Sequence, residues 1–114
     1  MSGDPSQDRV VVLTGGVGGA KLVLGLRQGR PPGRIAASVN TGDDFTHLGL
    51  SVSPDLDALL YALAGKANPE LGWGRAGETW SVMEALRSLG GEDWFLLGDG
   101  DLALHVLRTA ARAA

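Results

Sequence analysis

Val10-Val11-Val12-Leu13-Thr14-Gly15-Gly16-Val17-Gly18-Gly19-Ala20-Lys21 decides how the rest of the chain is read. A short run of β-branched and apolar residues has the pattern of a buried parallel strand. It empties into a loop with four glycines in five positions; a lysine and an amphipathic segment, Lys21 to Gln28, come next. Glycine lets backbone N–H groups approach an anion with no Cβ in the way. The helix start beyond the loop adds unpaired N–H groups and the positive end of a dipole. Gly15, Gly16, Gly18, Gly19 and Lys21 therefore read as a cradle for phosphate.

Two familiar templates do not fit. A Walker A loop needs Gly-x-x-x-x-Gly-Lys-Ser/Thr, but Ala20 stands at its second glycine and Leu22 at its hydroxyl residue. The dinucleotide fingerprint Gly-x-Gly-x-x-Gly begins at Gly16 and Gly18 and meets Lys21 at the third glycine, the one that normally lets helix and strand pack closely. The cradle thus suits a nucleotide or phosphorylated ligand outside the P-loop kinases and the standard dehydrogenases.

The 114 residues suffice for one small domain. A net charge of −3 argues against a nucleic-acid surface, which calls for a basic patch. The absence of cysteine excludes disulfides and thiolate metal sites and fits a reducing compartment. No apolar run reaches membrane-span length, and the polar residues 1–9 lack the core of a signal peptide, so they read as a disordered lead-in to a cytoplasmic domain over 10–114.

Along the chain, Ile35-Ala36-Ala37-Ser38-Val39 reads as a second strand after the Gly29–Gly33 turn. Ser53-Pro54-Asp55 has the order of a helix start, and Leu56, Leu59, Leu60 and Leu63 recur on one face before Gly65. A further helix is expected over Glu78–Leu89, a third buried strand over Trp94-Phe95-Leu96-Leu97, and a last helix after Asp101. The order β-α-β-α-α-β-α points to an α/β fold: an open parallel, Rossmann-like sheet with covering helices, incomplete at three strands.

Six of the 13 acidic residues form three pairs, Asp43/Asp44, Asp55/Asp57 and Asp99/Asp101. The first and third pairs follow predicted strands, at the edge where α/β sheets bind ligands. Carboxylates beside a phosphate cradle call for a hard cation, and magnesium held by one or two carboxylates plus substrate phosphates is the usual one. Asp55 and Asp101 also suit helix N-termini. His47, His105 and Arg108 are isolated candidates, Trp73 suits either ring stacking or a loop anchor, and Tyr61 and Trp80 fall at core spacings. No Ser-His-Asp arrangement is visible, and the residue types suit phosphoryl or phosphodiester chemistry.

In order, Leu13-Thr14-Gly15-Gly16-Val17-Gly18-Gly19-Ala20-Lys21, Val39-Asn40-Thr41-Gly42-Asp43-Asp44, Ser53-Pro54-Asp55-Leu56-Asp57, Gly72-Trp73-Gly74, Glu78-Thr79 and Trp94 to His105 resemble the 2-phospho-L-lactate transferase family. The resemblance implies a transferase of coenzyme F-420 biosynthesis. It would move a phospholactyl, phosphoenolpyruvyl or phosphoglyceryl group from a guanylylated donor to a deazaflavin riboside, releasing GMP with magnesium (Mg2+) as cofactor. It would place donor phosphates on Gly15, Gly16, Gly18, Gly19, Lys21 and Asn40, the deazaflavin on Asp57 and Asp55, and the metal on Asp43, Asp44, Asp55 and Asp99. It is compatible with a homodimer and names no catalytic residue.

Family members run far longer, so the chain reads as the N-terminal portion of such an enzyme. Gly100 stands where many of them carry lysine or arginine. Two other readings compete: a nucleotide- or phosphate-binding piece without turnover, and an NAD-binding oxidoreductase domain. Against the latter stand Lys21 and Asn40, the residue found where an acid would meet the ribose.

Overall fold

The computed structural model describes residues 8–70 and 74–114, so most of the expected lead-in, and Trp73, lie outside the described residues. These residues divide into two compact units. The first holds the chain up to Asp43 together with Ser53–Lys66; the second holds Asp44–Val52 together with the chain from Ala67 onward.

The first unit is built on the opening stretch. Strand β1 (Val10–Thr14) runs parallel to β2 (Ile35–Val39), in register from Val10 opposite Ile35 to Thr14 opposite Val39. The crossover between them is helix α1 (Gly16–Arg27), followed by a 3-10 turn at Pro32–Arg34. Helix α2 (Pro54–Leu63) starts where Ser53 and Pro54 predicted, with Ser53 at the N-cap, and ends at Gly65, which has φ +69°. Val12, Ala20, Val23 and Leu59 form the buried core, so α1 and α2 cover one face of the strand pair. The fold is α/β with a short parallel sheet.

One expectation is corrected here. The glycines do not form a loop ahead of a helix at Lys21: α1 begins at Gly16, so Gly16, Gly18 and Gly19 lie in its first turns. Gly15 is extended (φ −162°) and Gly16 left-handed (φ +68°), which turns the chain from strand to helix within two residues. The close helix–strand packing sought at Lys21 is supplied by Gly19 instead, because a Cβ there would run into the Thr14 hydroxyl.

The second unit departs further. An antiparallel hairpin, β3 (Phe45–His47) and β4 (Leu50–Val52), appears where no strand is predicted. Helix α3 covers Ser81–Ser88 and α4 covers Asp99–Ala113. The predicted strand at Trp94–Leu97 is not one. Its rings join a cluster in place of a ladder: Trp94 lies 5.0 Å from His47, and Phe95 lies 5.2 Å from Phe45. Trp80, expected in the core, precedes α3 and is 38% exposed, whereas Tyr61 is buried as expected.

Candidate functional site

Three features of the first unit meet at the carboxyl ends of its parallel strands. Thr14, Gly15 and Asn40 close β1 and β2, the amino end of α1 begins beside them, and Asp55 enters from the first turn of α2. A cleft of about 350 Å³, lined by Leu13, Thr14, Gly15, Ser38, Val39 and Asn40, opens there. That volume is in the range of small-ligand sites.

The amino end of α1 has no side-chain cap and no acidic residue in its first turn. Its orphan N–H groups and the positive dipole end therefore remain open to an external anion. Gly16 sits in the left-handed region at the head of the helix, a backbone combination from which anion-binding concavities are built. Lys21 is exposed in the second turn, roughly 7.5 Å along the axis from Gly16 at 1.5 Å per residue. The Thr14 hydroxyl is buried with no hydrogen-bond partner.

Asn40 organises the opposite wall. Its backbone N–H donates to the Thr14 carbonyl at 2.9 Å. Its Nδ2 donates to Asp55 Oδ2 at 2.9 Å and to Asp43 Oδ2 at 3.4 Å, and its Oδ1 accepts the Gly42 N–H at 3.0 Å. Asp55 is 9% exposed, and a Cβ on Gly15 would sit 3.0 Å from its Oδ2. A phosphate held at the amino end of α1 and two carboxylates beside it would repel one another unless a cation joined them. The hard oxygen donors of Asp43 and Asp55 fit magnesium, which takes one or two carboxylates together with substrate phosphates. Asp57 lies buried in the first turn of α2.

In the second unit, the remaining candidates are engaged in holding structure. Asp99 Oδ2 accepts from the Thr79 hydroxyl at 2.6 Å and the Ser81 N–H at 3.1 Å, and its Oδ1 accepts the Val82 N–H at 3.0 Å. Asp99, the first residue of α4, thus caps α3. These bonds, that from Thr79 foremost, hold its carboxyl below the ordinary range. In return Glu78, just ahead of α3, accepts the Gly100 and Asp101 N–H groups at 2.8 Å each and caps α4.

Gly98 has no Cβ because the Glu78 carboxylate fills that space. A Cβ on Gly100 would meet Arg75 Nη1 at 2.5 Å. The sequence pattern placed Asp99 at an exposed edge and missed Glu78. The signal for both was an acid adjoining each helix start, at Glu78 and at Asp99.

Arg108 donates to the Ser51 carbonyl at 3.2 Å, and Thr109 Oγ1 accepts the Ser51 N–H at 2.8 Å, fastening β4 to α4. His105 is buried 3.6 Å from Asp101, one turn earlier. His47 is buried against Trp94 and Phe95. A hollow lined in part by Arg75, Glu78 and Asp101 has only about 20 Å³, room for one water. Asp44 belongs to this unit, at the start of the segment leading into β3.

Set beside known proteins, residues 10–114 match the family described as 2-phospho-L-lactate transferase CofD. A phosphoenolpyruvate transferase of Streptomyces coelicolor is 52% identical over 102 residues, 89% of this chain and 32% of the relative. One from Thermobifida fusca is 48% identical over 115 residues, 93% of this chain and 36% of the relative. One from Mycobacterium tuberculosis is 45% identical over 115 residues, 89% of this chain and 35% of the relative. The chain spans about a third of the length of these curated relatives.

Proposed function

The chain belongs to the 2-phospho-L-lactate transferase CofD family, and on that premise we propose that its cleft holds the phosphates of a guanylylated three-carbon donor for transfer to a deazaflavin riboside in coenzyme F-420 biosynthesis. The observation that carries this reading is the uncapped amino end of α1 beside the carboxyl ends of β1 and β2, where Asn40 lines the cleft and bonds the carboxylates of Asp43 and Asp55. The names of the bacterial relatives favour phosphoenolpyruvyl as the three-carbon group.

In the proposed reaction the acceptor hydroxyl attacks the phosphorus that carries the three-carbon acid. The bond from that phosphorus to the GMP phosphate breaks, GMP leaves, and the hydroxyl proton passes to solvent. Catalysis of this kind is positioning plus neutralisation of charge. The N–H groups at Gly16 and Gly18, in the first turn of α1, would orient the donor phosphates, and Lys21 would bring a mobile positive charge to them. Asp43 and Asp55 would hold magnesium, which when bound offsets charge on the phosphate oxygens. Asp57 is proposed on the acceptor side.

Binding to this chain tests the reading. Guanosine diphosphate and inorganic pyrophosphate are expected to raise its thermal midpoint, and Lys21→Ala should weaken pyrophosphate about tenfold, the scale of one charge-assisted contact. Stabilisation by NAD, with no response to guanine nucleotides, would favour the oxidoreductase reading instead. GMP release from donor, deazaflavin riboside and magnesium measures turnover separately.

A further inference from the structure

We propose that Asn40 is a positioning residue: it sets the carboxylates of Asp43 and Asp55 for a divalent cation and makes no contact of its own with the donor phosphates. The inference rests on the reading of the cleft given above. It also revises the direct phosphate contact that the motif resemblance assigned to Asn40.

The amide's hydrogen-bonding capacity decides the matter. A carboxamide nitrogen has two hydrogens, and Asn40 Nδ2 faces two carboxylates, bonding Asp55 Oδ2 at 2.9 Å and lying 3.4 Å from Asp43 Oδ2. The donor side of the amide is thus turned to carboxylates. The amide oxygen accepts from Gly42 and, as an acceptor, would repel a phosphate oxygen. The two carboxylate oxygens are thus no farther apart than those two bonds laid end to end. Left alone, two like charges on one rim would tend to swing apart. A neutral donor between them permits convergence without adding charge that would compete with a metal.

The supporting frame is stiff. Asn40 is tied through its own N–H to the Thr14 carbonyl at the end of β1. Its bond to Asp55 spans fifteen residues of chain and joins the end of β2 to the first turn of α2. Gly15 leaves the room that both side chains use, since its Cβ would meet Asp55 Oδ2 at 3.0 Å and the Asn40 Cβ at 3.3 Å. Partners that orient metal-binding carboxylates in this way typically change metal affinity ten- to a hundredfold, roughly, when removed.

The test separates metal binding from anion binding in the chain as it stands. Manganese, as a magnesium surrogate, would be titrated with free Mn2+ read by electron paramagnetic resonance. Pyrophosphate would be titrated by calorimetry in EDTA. Asn40→Ala should weaken Mn2+ about tenfold or more and leave metal-free pyrophosphate affinity within about twofold. Asn40→Ser, which keeps one donor and serves if the alanine variant does not fold, should lose less Mn2+ affinity. Far-UV circular dichroism checks the fold of each.

Unchanged Mn2+ binding in both variants would overturn the proposal. A metal-free pyrophosphate loss as large as that of Lys21→Ala would make Asn40 a direct phosphate ligand; it would overturn the proposal and leave the cradle reading standing. Failure of the parent chain to bind pyrophosphate at all would overturn both.

Discussion

Gly15→Ala tests how tightly the cleft is assembled at a single residue. The backbone there is extended, so alanine meets no conformational penalty, but its Cβ presses on Asp55 Oδ2 and the Asn40 Cβ. Loss of the Asn40–Asp55 bond is expected to cost about 1 kcal/mol in urea unfolding, with Mn2+ affinity falling in parallel. Leu48 is the opposite case. It sits at φ +51° beside Gly49 at φ +76° in the β3–β4 connection, the pattern of a type I′ hairpin that favours Asn-Gly. A leucine there is strained, and Leu48→Asn is expected to stabilise the chain by about 0.5–1 kcal/mol, read as a higher thermal midpoint. Asp99 adds a pH dependence. Its carboxyl titrates below the ordinary value near 3.9. Its contribution to stability is therefore complete above about pH 4 and is lost as pH falls through the depressed value. Asp99→Asn should flatten that part of the acid-unfolding profile and change little in the slope near neutrality.

The exchange of caps between α3 and α4 makes each helix depend on the other's leading segment. Glu78→Ala strips two N–H groups at the start of α4 of their acceptor and is expected to cost about 1–2 kcal/mol, measured by urea unfolding. This exchange also marks where sequence reading stops. The β1–α1–β2 crossover, the boundaries of β2 and the start of α2 were legible, because strand alternation, Ser-Pro-Asp and Gly65 are local signals. The region from Glu78 to Asp101 was not, because its caps pair residues about twenty positions apart. Trp94–Leu97 carried apolar strand composition, yet a strand needs a partner, and its rings found Phe45 and His47 instead. Around the carboxyl ends of β1 and β2, the glycines, Lys21, Asp43 and Asp55 stand out in the sequence by residue type. The Asn40 contacts to Asp43 and Asp55 do not, since an amide can serve phosphate or carboxylate equally until its partners are placed.

For the molecule as a whole, the bare face of the parallel sheet is the dominant fact. Val11 is 71% and Leu13 83% exposed, in register with Ala36 and Ser38, while α1 and α2 cover the other face. Parallel sheets ordinarily have both faces covered. An uncovered apolar edge strand is a site of self-association. Val11→Lys is therefore expected to reduce concentration-dependent association in sedimentation velocity while leaving the thermal midpoint nearly unchanged, because that side chain is largely exposed among the described residues. The swapped caps carry one more consequence, in time. Ser81 and the carboxylate that receives its N–H are eighteen residues apart. At roughly 5–20 residues per second of ribosomal synthesis, α3 emerges on the order of 1–4 s before its cap exists. During that interval the first N–H groups of α3 lack this acceptor, and they gain it when Asp99 leaves the exit tunnel. Synonymous codons between Ser88 and Gly98 thereby set how long the half-made pair waits.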